Sequence, residues 1–101
     1  MKGTEKQIKW AEDIIRETRE ANKQHVEFYT AKVAENDRIM VDDHKKCLHI
    51  WEAISAEFER TVSGIDSAAV VIDNRKLLSA DRMQWYFNEL SLGHLKGFPG
   101  M

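Results

Sequence analysis

The sequence holds one cysteine, one proline and five glycines in 101 residues. A single thiol, Cys47, excludes an intrachain disulfide and points to a reducing compartment. The proline, Pro99, lies near the C-terminal end, and only Gly3 and Gly64 interrupt the first ninety positions. With so few turn formers, a sandwich or barrel of many short strands is excluded. Long apolar runs are missing too. None approaches the ~18 residues that would span a bilayer, and the N-terminus "MKGTEKQIKW" has no apolar signal core. Charge of one sign is also lacking: fifteen Lys and Arg stand against seventeen Asp and Glu, a formal charge of -2. The signs alternate along the chain, which is no electrostatic footprint for duplex nucleic acid. There is no glycine-rich phosphate loop, no Gly-x-Ser-x-Gly elbow and no His-Glu-x-x-His.

What is present is helical periodicity. The chain is 43% hydrophobic, and at this length it can bury a core without disulfides or metals. Thr4 with Gln7 forms a capping box at the start of "GTEKQIKWAEDIIRETREA", and Glu5 adds negative charge in the first turn. At roughly 100° per residue, Ile8, Ala11, Ile15, Val26, Tyr29 and Val33 fall along one edge. Trp10, Ile14, Ala21 and Phe28 fall along a neighbouring edge. The arc keeps phase through "ANKQH", which has neither glycine nor proline, so one helix is expected from residue 4 to about 36. An arc this broad meets at least two neighbours. Thr18, Asn22 and His25 interrupt it, either as satisfied polar residues that set register or as the lining of a polar pocket.

A second helix is expected over residues 42–63, with Cys47, Ile50, Trp51, Ile54, Phe58 and Val62 on one face, running on to Ile65. Gly64 is its stop. Asp66 or Ser67 can cap a short helix over 67–73, which Asn74 ends in the left-handed conformation. The β-branched run "AAVVI" could instead be a strand, but no second strand is visible to pair with it. Ser79 caps a last helix over 79–92, with Met83, Tyr86, Phe87 and Leu90 inward and Gly93 as its stop. Residues 94–101 read as a flexible tail from which Leu95 and Phe98 can dock on a neighbour. The fold class is therefore all-α: one domain, 1–101, a long helical hairpin closed by two short helices.

The most chemical-looking stretch is "VDDHKKCLHIW", Val41 to Trp51. Asp42 or Asp43 precedes the apolar periodicity and reads as an N-cap. His44 and Cys47 share a face, while His49 lies about 140° from His44 and points away. One helix thus offers two soft ligands together, with Asp43 as a third, whereas a structural zinc needs four in paired short spacings. Cys47 sits on the apolar face, where a free cysteine behaves as an inert small hydrophobe. The stretch reads as a capped helix start, with no cofactor implied.

Two further clusters qualify as contacts. Asp73, Asn74 and Arg75 follow an apolar run directly, and Arg75 could hold a phosphate or carboxylate bidentately. The structural alternative is that Asp73 and Asn74 end a helix and Arg75 makes an ion pair. Trp85 lies off the Met83–Phe87–Leu90 face, and an exposed tryptophan is more often a protein contact than a base platform in an acidic chain. Pairs such as Glu12–Arg16 and Glu20–Lys23 read as decoration of a solvated face.

"GTEKQIKWAEDII", Gly3 to Ile15, resembles a Gly-Ser/Thr-x-Lys-Gln-Ile-x-Trp-Ala-Glu-x-Ile-Arg segment of small bacterial proteins, some from phages and mobile elements. "AAVVIDNR", Ala68 to Arg75, resembles a later segment of the same proteins that ends Ile-Asp-Asn-Arg. Val70 and Val71 depart from its tryptophans, and an extra isoleucine precedes Arg16. The resemblance implies a helical fold and a bacterial or phage setting, and transfers no catalytic residue.

The expected function is a non-enzymatic protein-interaction module, accessory or regulatory, acting in the cytoplasm. It binds itself, most simply as a dimer, and a second protein through Arg75, Trp85, Leu95 and Phe98. One alternative is nucleic-acid binding through Lys45, Lys46, Arg75 and Lys76 gathered by folding. Another is a small metal-dependent enzyme using Asp43, His44 and Cys47.

Overall fold

The computed structural model describes residues 1–101 as four helices and no strand: α1 (Glu5–Glu35), α2 (Val41–Ser63), α3 (Ala68–Asp73) and α4 (Ala80–Ser91). The all-α hairpin expected from the periodicity is the fold. The molecule is a rod of 53 × 25 × 18 Å. Its length is set by α1, whose 31 residues at about 1.5 Å each run some 46 Å.

α1 runs unbroken through "ANKQH". Its capping box is present in both directions: the Gln7 amide donates to Thr4 Oγ1 at 3.2 Å, and the Thr4 amide donates to Gln7 Oε1 at 3.0 Å. It ends at Asn36, which turns left-handed at φ 53°, ψ 45°. An asparagine tolerates that conformation better than residues with bulkier side chains. Asp37 then makes the corner, accepting the amides of Ile39 (2.8 Å) and Met40 (3.2 Å) on its carboxylate. Those two bonds hold its pKa below the usual carboxylate value. Asp42 and Asp43 are therefore not the N-cap. They sit in the first turn of α2, where the helix dipole still favours them.

Two other expected stops work differently. Gly64 ends α2 in a right-handed conformation. Asn74 ends α3 at φ -103°, not left-handed, by donating its side-chain amide to the Val70 carbonyl at 2.8 Å. "AAVVI" is helical, so the strand alternative is set aside. Ser79 caps α4 as expected, accepting the Arg82 amide at 3.1 Å. Gly93, at φ 77°, closes it. The His94 amide reaches the Glu89 carbonyl (2.9 Å) and the Gly93 amide reaches that of Leu90 (3.1 Å), the paired bonds of a Schellman end.

The core lies where α1, α2 and α4 face one another. Ala11 and Ile15 of α1 meet Trp51, Ile54, Phe58 and Val62 of α2, with Ala68, Val71, Leu78, Met83 and Tyr86 closing the other side. Along the upper part of the rod an aromatic stack continues it. His25 lies parallel on Trp51 at 3.9 Å, and Trp51 stacks on Phe87 at 5.1 Å. Burial there pushes the His25 pKa down.

Residues 94–101, expected as a flexible tail, have defined intramolecular contacts in this structure. Leu95, Phe98 and Met101 lie half-buried against the core. The Phe98 ring meets Tyr86 edge-on at 5.5 Å, and the Tyr86 hydroxyl donates to the Pro99 carbonyl. The surface ion pairs also differ from those expected: Arg16 pairs with Asp13 at 2.7 Å and Lys23 with Glu27 at 4.0 Å. Across the helices, Arg19 forms a bidentate pair with Glu59 at 2.6 and 2.8 Å, which raises the guanidinium pKa further.

Candidate interaction surface

The N-terminal residues are pinned to the segment before α3. The Lys2 amide donates to the Asp66 carbonyl at 2.7 Å, and the Ala68 amide donates to the Lys2 carbonyl at 2.8 Å. Gly3 sits between them at φ 143°, and a Cβ there would lie 3.0 Å from Ala68 Cβ and 3.1 Å from Gln7 Oε1. Glycine fits because both the dihedral and the space demand it. The clasp lays α3 across the start of α1, so Gly3–Ile15 and Ala68–Arg75 pack side by side with Ala11, Ile15, Ala68 and Val71 buried. The two segments are spatial neighbours.

Arg75 stands at the seam. Its Nη1 donates to the Ile72 carbonyl at 2.9 Å, at the end of α3, an oxygen that also accepts the Arg75 backbone amide at 3.2 Å. Its guanidinium carbon lies 5.6 Å from the centre of the Trp10 ring. Trp10 is 49% exposed and Val70, on the outer face of α3, is 44% exposed. The chain then turns through Leu78, which is buried, and whose carbonyl accepts the Thr18 hydroxyl at 2.6 Å. That bond fixes the turn on α1 and sets the position of Ser79 and the first turn of α4.

The first turn of α4 presents a matching arrangement. Arg82 lies 4.1 Å from the Trp85 ring centre and 5.1 Å from that of Tyr86, with Nη2 donating to the Pro99 carbonyl at 3.3 Å. Between the two arginines runs an open groove of about 450 Å³, lined by Arg75, Lys76, Ser79, Asp81, Arg82 and Trp85. The cations Arg75, Lys76 and Arg82 have no carboxylate within 4.0 Å. What sets these three apart is that they line one groove together. A cleft of similar size, about 460 Å³, lies between α1 and α2, but its two arginines are already held, Arg16 by Asp13 and Arg19 by Glu59.

Of the residues singled out in the sequence, Arg75 and Trp85 thus line one groove. Leu95 and Phe98 are placed elsewhere, against the chain's own core. Trp10, Arg82 and the clasp at Gly3 were not visible as parts of a site. Phase assigned Trp10 to the core, and nothing local announces a partner more than sixty residues away. Lys45 and Lys46 do not join Arg75 and Lys76. Lys46 reaches the Ser91 carbonyl at 3.2 Å, and His44 faces Tyr29 at 6.4 Å. The stretch of α1 from Tyr29 back to Trp10 is about 28 Å long.

His44 and Cys47 lie near Tyr29, whose phenol pKa is raised by burial and then by the Cys47 thiol beside it. No group of three or more His, Cys, Asp or Glu side chains is close enough to hold a metal ion, so Asp43, His44 and Cys47 do not converge. No helix is long and apolar enough to cross a membrane. Compared with protein-family models, curated proteins and solved structures, the chain finds no match.

Proposed function

We propose that this chain is a non-enzymatic interaction module, an accessory or regulatory protein of a bacterium or its phage. It acts in the host cytoplasm, binding a partner protein and a second copy of itself. The observation that supports this reading is the second apolar edge of α1. The first edge is covered by α2, α3 and α4, whereas Trp10 and Phe28 on the second edge remain 49% and 53% exposed. At the hairpin corner Ile39 is 87% exposed and Met40 41%. Large apolar side chains gathered at the two ends of a small rod favour contact with other molecules. The Phe28–Ile39 end suits a second copy, and the Trp10–Trp85 end suits a different protein.

Light scattering across a concentration series tests the self-contact. The expected mass is twice 11.7 kDa, reverting to the single-chain mass in the F28E/I39E variant. Capture from a bacterial lysate tests the other end, with W10A/W85A expected to lose what the unaltered chain retains. A chain that stays single at every concentration, and retains nothing beyond the W10A/W85A variant, overturns the reading.

A further inference from the structure

We infer that the groove between Arg75 and Arg82 receives a short acidic segment of the partner protein, with carboxylates set against the three cations and an apolar side chain laid on Trp10 or Trp85. The inference rests on the interaction reading above and adds the chemistry of the occupant.

Charge is the first argument. Arg75, Lys76 and Arg82 converge on one groove with Asp81 as the only acid in its lining. None of the three is neutralised within the chain, whereas the two arginines of the cleft between α1 and α2, Arg16 and Arg19, each hold a carboxylate. Like charges held together in a concavity repel one another and focus a positive potential outward. An anion relieves both effects.

Geometry is the second argument. Each guanidinium lies over a tryptophan ring, Arg75 at 5.6 Å from the centre of Trp10 and Arg82 at 4.1 Å from that of Trp85. A guanidinium held over a ring gains a cation–π attraction and still has N–H groups to offer carboxylate oxygens. Each arginine has one donor committed to a backbone carbonyl, Arg75 to Ile72 and Arg82 to Pro99, and Arg82 Nε is buried, which leaves the remaining Nη donors for a ligand. Lys76 makes neither a side-chain hydrogen bond nor an ion pair within the chain, so its three donors are open. The exposed indole surfaces on either side supply the apolar contact that a bare anion would not use.

A polyanion is the weaker fit. Nucleic-acid affinity grows with the number of phosphates neutralised. Here only three cations gather, the chain carries a net charge of -2, and Lys45 and Lys46 lie at the other end of the rod. A short segment with a few carboxylates matches the size of the groove.

The test selects a displayed library of randomised short peptides on the full immobilised chain, then measures recovered peptides by fluorescence anisotropy. The expected result is enrichment of Asp and Glu beside apolar residues. Replacing those acids by Asn and Gln, or introducing R75E/K76E, should weaken binding at least about tenfold, the factor expected when a charged hydrogen bond is lost. K45E/K46E should leave binding unchanged. Because Arg75 also caps α3, K76E alone provides a second variant that removes no intramolecular contact, and circular dichroism confirms the helices. Recovered peptides without acidic enrichment, or peptides that bind K76E and R75E/K76E as tightly, overturn the acidic-segment assignment. They leave the broader interaction reading standing. Recovery of no peptide also overturns the assignment, as does displacement by oligothymidylate at lower concentration than by the peptides.

Discussion

Thr18 and Asn22 are adjacent interruptions of one apolar arc, and each is 2% exposed. They differ in what their polar atoms meet. The Thr18 hydroxyl donates to the Leu78 carbonyl, while both Nδ2 and Oδ1 of Asn22 are buried without a partner. Opposite outcomes follow from equal burial. Thr18→Val strands the Leu78 carbonyl and should lower unfolding free energy by about 1–3 kcal/mol. Asn22→Leu removes two orphaned groups while keeping the branching of the side chain and should raise it by about 1–3 kcal/mol. Urea denaturation of the two variants decides both. The sequence marks these positions as exceptions to the apolar pattern but cannot separate them, because the carbonyl that satisfies Thr18 lies sixty residues away. His25 is the third exception, and its partner Trp51 lies on the next helix. Its folded pKa is depressed below an unfolded value of 6.5. The unfolded chain therefore binds the proton first as pH falls. The contribution of neutral His25 to stability is complete above pH 6.5 and declines as pH drops through the depressed folded value. His25→Phe keeps a ring against Trp51 and removes the titration. Plotted against pH, the stability of His25→Phe relative to the unaltered chain should rise below 6.5 and stay flat above it.

At the scale of elements, the helices were legible because their signals are local. The capping box at Thr4, the unbroken phase from Ile8 to Val33 and the Ser79 cap each lie within a few residues of what they determine. Three helix ends were legible in position and not in mechanism. Gly64 and Asn74 stop their helices without turning left-handed, and the corner between α1 and α2 depends on Asn36 and Asp37, not on Asp42 or Asp43. The cause is competition among several residues able to cap within seven positions. Asp37 is placed by the left-handed turn at Asn36, which the sequence does not announce. Asp37→Ala removes the acceptor for two amides and should lower the thermal midpoint, while Asp42→Ala should shift it less. The depressed Asp37 pKa gives the effect a pH signature. Its stabilisation is present above the ordinary carboxylate value and disappears as pH falls through the depressed folded one. The midpoint difference between Asp37→Ala and the unaltered chain should therefore shrink in acid.

For the whole molecule, what the sequence left dark is the set of contacts that join one end of the chain to another. The clasp of Lys2 on Asp66 and Ala68, the Arg75–Trp10 contact and the Arg19–Glu59 pair all bridge forty residues or more. Local pattern carries no information about such pairs. The groove was half legible for that reason: Arg75 and Trp85 stood out as polar or aromatic residues off the helical phase, whereas Trp10 and Arg82 matter only through neighbours brought by folding. The last eight residues raise the same issue in a testable form. Their composition, with two glycines and a proline, reads as loose chain, yet Phe98 lies against Tyr86 and Leu95 and Met101 rest on the core. Leu92 supplies the control, since it is 67% exposed. If the tail is a working part of the core, Phe98→Ala should lower unfolding free energy by about 1–2 kcal/mol, roughly half the loss expected of a fully buried ring. Leu92→Ala should stay within about 0.5 kcal/mol of the unaltered chain. Equal effects from both substitutions would mean that the contacts of residues 94–101 add nothing to the fold, and that Leu95 and Phe98 are free for a partner after all.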